Sequence, residues 1–323
     1  AIEWLYGRQA AGIKLGLVNM RRLINELSLP LDRMKVIHVA GTNGKGSACA
    51  FAESILRAAG EKTGFFSSPH LVSFCERIRI NGIPSDQRSV ADGITTLQKL
   101  TEEWQPQPTF FEMSTALALM IFANEKIDTA VMEVGLGGRL DSTNVLTPTV
   151  CAINNIGLDH QHILGDDLGQ IANEKAGILK PGVPAVSSPQ QKEAREVLEK
   201  RAREVGAPLE FISEPWTGSS ISLPGKHQQW NAALAAGAIK AAGFHIPQNV
   251  IIQGLGNAVW RARFERIKEP GKTEIVVDGA HNADSAEALL QTWREVFKDA
   301  EPVIICAMAA NKDSDTIINL LSE

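Results

Sequence analysis

Short β-branched runs alternate with longer stretches whose apolar residues recur three or four positions apart. The run KVIHVA at 35–40 predicts a strand, GTNGKGS at 41–47 a glycine-rich turn, and 48–59 a helix that ends before Gly60. Further strands are predicted over 63–67, 128–134, 150–156, 184–188 and 209–212, with helices over 87–104, 113–124, 168–178 and 190–205. Such alternation predicts an α/β fold with a mainly parallel sheet covered on both faces. Residues 213–226 (SEPWTGSSISLPGK) concentrate Ser, Gly and Pro and lose the helical period, which predicts a boundary between units 1–215 and 216–323. Beyond it the rhythm restarts, with a helix over 227–242, strands over 274–277 and 303–307, and a helix over 283–297 between them.

Composition narrows the partners more than the fold. The 323 residues carry 32 Lys and Arg against 37 Asp and Glu, a formal net charge of −5, and 44% are apolar. Collagen, coiled coil and general disorder are excluded, and the length suits two units with cores of their own. With no Lys/Arg-rich block, neither nucleic acid nor an acidic membrane surface is an expected partner. Cys49, Cys75, Cys151 and Cys306 form no C-x-x-C pair and read as buried free thiols of a reducing compartment. The apolar stretch 116–123 is well short of the ~20 residues needed to span a bilayer. Residues 1–8 lack the basic and apolar regions of a signal peptide, so a cytoplasmic location is expected.

The turn at 41–47 sits where a strand feeds a helix, the place where backbone amides and the helix dipole hold phosphate. Gly41, Gly44 and Gly46 free the backbone to approach an anion, Lys45 can neutralise its charge, and Ser47 can ligate Mg2+. The loop departs from G-x-x-x-x-G-K-[ST], because a glycine separates the lysine from the hydroxyl residue. The plain alternative is an ordinary βα turn. Glu133 ends a predicted strand and is followed by the Gly-rich 135–139, which delivers its carboxylate to the sheet-edge crevice, where Mg2+ would take oxygen ligands. His160 follows another strand and reaches the same edge, as a metal or phosphate ligand or as a satisfied structural histidine. Arg139, Asp141 and Asn144 read as polar groups ordering a loop near the site. Lys175 is either a solvated helix lysine or, if buried, an amine of lowered pKa. Asp278 and His281 lie between a strand and a helix, and Arg263 and Asn231 stand in apolar surroundings; spacing alone does not rank these four.

The carrying motifs are HVAGTNGKGS at 38–47, SSPHL at 67–71, ERIRING at 76–82, TFFE at 109–112, EVGLGGRLDSTN at 133–144 and GLDH at 157–160. They continue with NEKAGILKPGVP at 173–184, KHQQWNAAL at 226–234, WRARFE at 260–265 and DGAHN at 278–282. On these motifs the chain closely resembles the folylpolyglutamate synthase/dihydrofolate synthase family, relatives of the Mur peptide ligases. GTNGK would fit any Mur-type ligase, whereas SPHL with ERIRING points to the folate branch. The resemblance implies a P-loop mononucleotide-binding parallel-sheet domain followed by a smaller Rossmann-like α/β domain, with catalysis in the cleft between them. It implies that Gly41, Thr42, Asn43, Gly44, Lys45, Gly46 and Ser47 bind ATP, that Ser47, Glu133 and His160 hold Mg2+, and that Lys175 is carbamylated. Asn231, Arg263, Asp278 and His281 match positions that contact ATP or phosphate from the second domain. Residues 67–77 match the loop that holds the pteridine compound, with Ser68, Pro69, His70 and Arg77 as the folate-binding candidates. WRARFE departs from the family's W-P-G-R-x-E, and the second domain is shorter than the family pattern.

The implied reaction is ATP-dependent ligation of L-glutamate to a folate or to dihydropteroate through an acyl phosphate, with Lys45, Lys175 and His281 as the catalytic candidates. A monomer is expected. One alternative is a Mur-type ligase acting on a sugar-nucleotide carboxylate, for which the 34 residues before Lys35 leave no room for a nucleotide-sugar domain. The other is a non-catalytic nucleotide-binding switch.

Overall fold

The computed structural model describes residues 1–12, 14–298, 300–309 and 312–322. Helices α1 (Ile2–Gly7) and α2 (Val18–Leu27) precede the central strand β1 (Lys35–Ala40), which is apolar and buried from Val36 onwards, as a strand covered on both faces must be. Next come α3 (Lys45–Ala58), β2 (Thr63–Phe66), β3 (Ile78–Ile80), β4 (Ile83–Pro84), α4 (Gln87–Leu100), α5 (Phe110–Glu125), β5 (Thr129–Glu133) and β6 (Val150–Ile153). They are followed by α6 (Gln161–Leu164), α7 (Leu168–Ala176), β7 (Ala185–Ser187), α8 (Lys192–Val205) and β8 (Leu209–Phe211).

The eight strands form one sheet in the order β4-β3-β2-β5-β1-β6-β7-β8. Six of them are parallel, and the antiparallel hairpin β3–β4, which the hydrophobic pattern did not predict, extends one edge. Alternation along β1 divides the core between two faces. Ile37 and Val39 point to α3, and Val36 joins the opposite cluster with Phe66, Phe122 and Met132 under α4 and α5. Under α7 and α8, Ile171, Ala176, Leu198 and Ala202 close over Cys151 and Ile153.

Helix α9 (Lys226–Ala241) and helix α10 (Gln248–Asn257) pack on α3, and α9 also covers β6 and β7. Leu223, Leu234, Ala238, Leu255 and Ala258 are buried in the same cluster as Ile37 and Val39, and Ser54 Oγ donates to the Gly254 carbonyl at 2.7 Å. The Ser/Gly/Pro-rich passage at 213–226 therefore does not end the first packing unit. The sheet needs a second covering face, and the chain beyond that passage supplies it.

The remaining elements are β9 (Glu265–Ile267), β10 (Ile275–Val277), α11 (Ala283–Phe297) and α12 (Ser314–Leu321). β9 and β10 pair antiparallel, and the expected strand over 303–307 pairs with nothing, leaving Val303 and Ile305 96% and 94% exposed. Among the described residues this unit thus has a two-stranded ribbon and two helices in place of the expected Rossmann-like parallel sheet. A β-branched run gains no strand without a hydrogen-bonded neighbour. Cys306 is also exposed, unlike the other three cysteines, because it lies in that unpaired run.

Candidate active site

Register builds the site. Val39 pairs with Glu133 on β5 and Ala40 with Ile153 on β6, so the carboxyl ends of three adjacent strands release Gly41, Val134 and Asn154 side by side, at the edge where open α/β sheets bind ligands. A cleft of about 480 Å³ opens there, lined by residues 41–47, Glu133, His160, Lys175, Asn231, Arg263 and His281 among others. The sequence-predicted residues of both units therefore converge, with two exceptions described below.

Helix α3 begins at Lys45, three residues earlier than its apolar pattern predicts, so Lys45, Gly46 and Ser47 form its first turn. Amides of a first turn lack intrahelical acceptors and face the cleft with the positive end of the helix dipole. Gly44 caps the helix at φ 80°, and a Cβ there would lie 2.4 Å from Asn231 Oδ1. Trp260 also covers Gly46, 2.7 Å from where a Cβ would sit, and its ring lies tilted by 35° against Phe65 at 5.1 Å between centroids. Lys45 Nζ donates to the carbonyls of Gly41 and Thr42, at 3.0 Å each.

Ser47 is fully buried and its hydroxyl has no protein partner, an orphan that asks for a ligand. Glu133 is buried at the end of β5 and accepts the Ser68 N–H at 3.2 Å. Burial raises its pKa, opposed by the charges of Lys45, Arg263 and Arg77 and by the Ser68 hydrogen bond. A hydroxyl and a carboxylate suit Mg2+, which keeps several waters of its own. His160 lines the same cleft, half-buried, in a left-handed conformation at φ 52°. Such backbone outliers gather at functional sites. Among the described residues no three His, Cys, Asp or Glu side chains stand close enough to form a metal centre by themselves.

Lys175 is buried, not solvated, and its Nζ donates to the Gly41 carbonyl at 2.9 Å. Burial, then the charge of Lys45, lowers its pKa to about 7, against the pull of Asp159 and Asp141. The loop after β5 is ordered by the polar residues expected to do so. Asp141 accepts the N–H groups of Gly135 and Leu136 at 3.0 Å each, Arg139 pairs with Glu174, and Asn144 donates to the Arg139 and Gly177 carbonyls. Behind it, Thr143 Oγ1 bonds His38 Nε2 at 2.8 Å, and burial, then the charge of Lys180, pushes the His38 pKa down to about 3.

Asn231 is buried, accepting from Asn154 Nδ2 at 2.7 Å and donating to Gln228 at 2.9 Å. Asp278 lines the cleft, but its oxygens accept the backbone N–H groups of Phe264 and Ala280, the work of a turn residue. Ala262, where the family pattern has glycine, is held at φ 54° beside Arg263. His70 and Arg77 are the exceptions. They lie outside the cleft lining, which includes Ser68 and Pro69, and Arg77 Nε donates to His70 Nδ1 at 2.7 Å while the guanidinium covers Phe110.

Asp159 escaped the sequence reading although it precedes His160. It faces Lys312 Nζ at 2.6 Å, Asn282 Nδ2 at 3.1 Å and His281 Nε2 at 3.5 Å. Burial raises its pKa, but the bonds from His281, Lys312 and Asn282 outweigh that and hold it well below the usual carboxylate range. Its strand-end position was the available signal, and nothing in the pattern distinguished Lys312.

The family model described as Mur ligase middle domain matches residues 39–205, and that of the Mur ligase glutamate ligase domain matches 262–321. The dihydrofolate synthase/folylpolyglutamate synthase of Bacillus subtilis is 36% identical, over 99% of this chain and 82% of its own length. The chain belongs to the folylpolyglutamate synthase/dihydrofolate synthase family of Mur ligases. A folylpolyglutamate synthase of Arabidopsis thaliana is 41% identical over 84% of this chain, which spans about half (53%) of that relative. The solved structure of Escherichia coli FolC in complex with DHPP and ADP superposes with a TM-score of 0.90 at 31% identity, covering 99% of this chain and 80% of that one. No helix among the described residues is long and apolar enough to cross a membrane.

Proposed function

We propose that this chain joins L-glutamate to a folate, to dihydropteroate, or to both, at the expense of ATP. The observation that carries the proposal is the meeting, in one cleft, of the unpartnered buried Ser47 hydroxyl, the Glu133 carboxylate, the α3 N-terminus and the buried Lys175 amine. The relatives supply the acceptor class: the Bacillus subtilis protein is named for both activities, and the Escherichia coli structure holds DHPP with ADP.

In this reading a substrate carboxylate oxygen attacks the γ-phosphorus of ATP, and ADP leaves with the P–O bonding pair. The glutamate amine then attacks the acyl carbon of the resulting acyl phosphate, phosphate departs with the C–O pair, and the amine loses a proton. No protein nucleophile is required. Lys45 and the first-turn amides hold the phosphates, and Arg263 and His281 face the charge that develops on the transferred group. Ser47 and Glu133, with His160 at the rim, would hold Mg2+, which supplies charge neutralisation at the phosphate oxygens. Neutral Lys175 adds to CO2 with loss of one proton, giving a carbamate that places negative charge beside the Gly41 carbonyl and Lys45. Asn231 and Asp278 shape the nucleotide side, and Ser68 and Pro69, backed by His70 and Arg77, the pterin side. Residues 1–258 form the nucleotide- and folate-binding body, residues from 262 form the glutamate-ligase unit, and the enzyme acts as a cytoplasmic monomer.

Lys45→Ala tests the phosphate loop. Glutamate-dependent ADP formation is expected to fall by about 10²–10³-fold with an unchanged far-UV spectrum. Activity within a few-fold of the parent would contradict the assignment.

A further inference from the structure

Three chain segments meet at one carboxylate, and a fourth is reached through Asn282. Asp159, in the loop after β6, is 11% exposed, and Lys312, just before α12, is 14% exposed, so their 2.6 Å ion pair is largely withdrawn from water. The amide of Asn282 divides its two hydrogens between two strand-end loops of the large sheet: Nδ2 donates to Asp159 Oδ2 at 3.1 Å and to Asn43 Oδ1, in the loop before α3, at 3.0 Å. Asn43 Nδ2 returns a bond to Asn282 Oδ1 at 3.2 Å. The His281 ring is held at both ends, with Nδ1 2.8 Å from the Gly279 carbonyl and Nε2 3.5 Å from Asp159 Oδ2. A carbonyl oxygen can only accept, so Nδ1 carries a proton and the ring orientation is fixed.

We propose that Asp159 is a positioning residue for ligation, a clasp that holds His281 and Asn282 of the second unit against the phosphate-binding loop. The inference rests on the ligase reading above and adds a residue to it. Acyl-phosphate chemistry needs groups from both units around one phosphoryl group, and a misplacement of about 1 Å costs on the order of 10²-fold. The β9–β10 ribbon makes no pairing with the large sheet, so the register of the two units depends on contacts such as these.

The test is a double-mutant cycle on the full chain with Asp159→Asn, Lys312→Gln and the pair. Lys312→Gln leaves intact the bond from His160 N to Asp159 Oδ1 at 2.8 Å, so it separates the clasp from support of His160. Each single variant is expected to lower kcat by about 10- to 30-fold with the KM for the pterin substrate within threefold of the parent. The double variant should cost no more than the worse single one, because the two residues form one contact. Amides of 279–282 should exchange with deuterium faster in each variant while those of β1 do not. Unchanged kcat and unchanged exchange, or effects that multiply, would overturn the clasp while leaving the ligase reading in place. If the parent showed no glutamate-dependent turnover, the ligase reading would fall, and the exchange experiment would still decide whether Asp159 docks the second unit.

Discussion

At Lys175, burial and the charge of Lys45 bring the amine to a pKa of about 7, against an ordinary lysine value of 10.5. Between those values the unfolded chain holds a proton that the folded chain has released, so this lysine's contribution to stability rises as pH rises through that window. The same depression sets its chemistry, because only the neutral amine adds CO2. With ¹³C-bicarbonate, a carbamate resonance should grow as pH is raised from 6 to 8 and be missing in Lys175→Met. A parent enzyme without the resonance at pH 8 would contradict carbamylation. Ser47 and Glu133 stood out in the sequence because each is a polar residue in an apolar or glycine-rich context, whereas the local pattern around Lys175 fitted a solvated and a buried lysine equally, and only packing shows that it is buried. Asp159, Asn154 and Lys312 did not stand out, since their roles arise from contacts spanning 77 to 153 positions.

Helix α5 illustrates what short-range pattern conveys. The TFFE motif at 109–112 is its start: Thr109 Oγ1 accepts the Glu112 N–H at 3.2 Å and Glu112 Oε2 accepts the Thr109 N–H at 2.7 Å, a reciprocal capping box. Apolar periodicity placed this helix three residues late because the capped turn carries little of that period. Thr109→Ala should cost about 1 kcal/mol of stability, read from chemical denaturation, with no change in the slope. A loss below about 0.3 kcal/mol would mean the cap is not a stabilising feature. The parallel strands were legible for the opposite reason, their continuous burial. The β3–β4 hairpin was not, because its strands have three and two residues, too few to show a period.

For the whole molecule, the alternation of strand and helix identified the class, and the strand ends indicated the edge at which the cleft opens. The packing of α9 and α10 was not legible, because a Ser/Gly/Pro-rich passage marks exposed backbone and carries no information about which sheet the next helix covers. Only packing places α9 and α10 on β6, β7 and α3. The 303–307 run has a strand's composition without a strand's partner, and composition alone could not tell the two apart. The central claim is that both units act on one phosphoryl group in the service of glutamate ligation. It is tested most directly by phosphate release from MgATP, with L-glutamate fixed and dihydropteroate or tetrahydrofolate added in turn. Release that requires glutamate together with at least one acceptor is predicted, and release indifferent to both would contradict it.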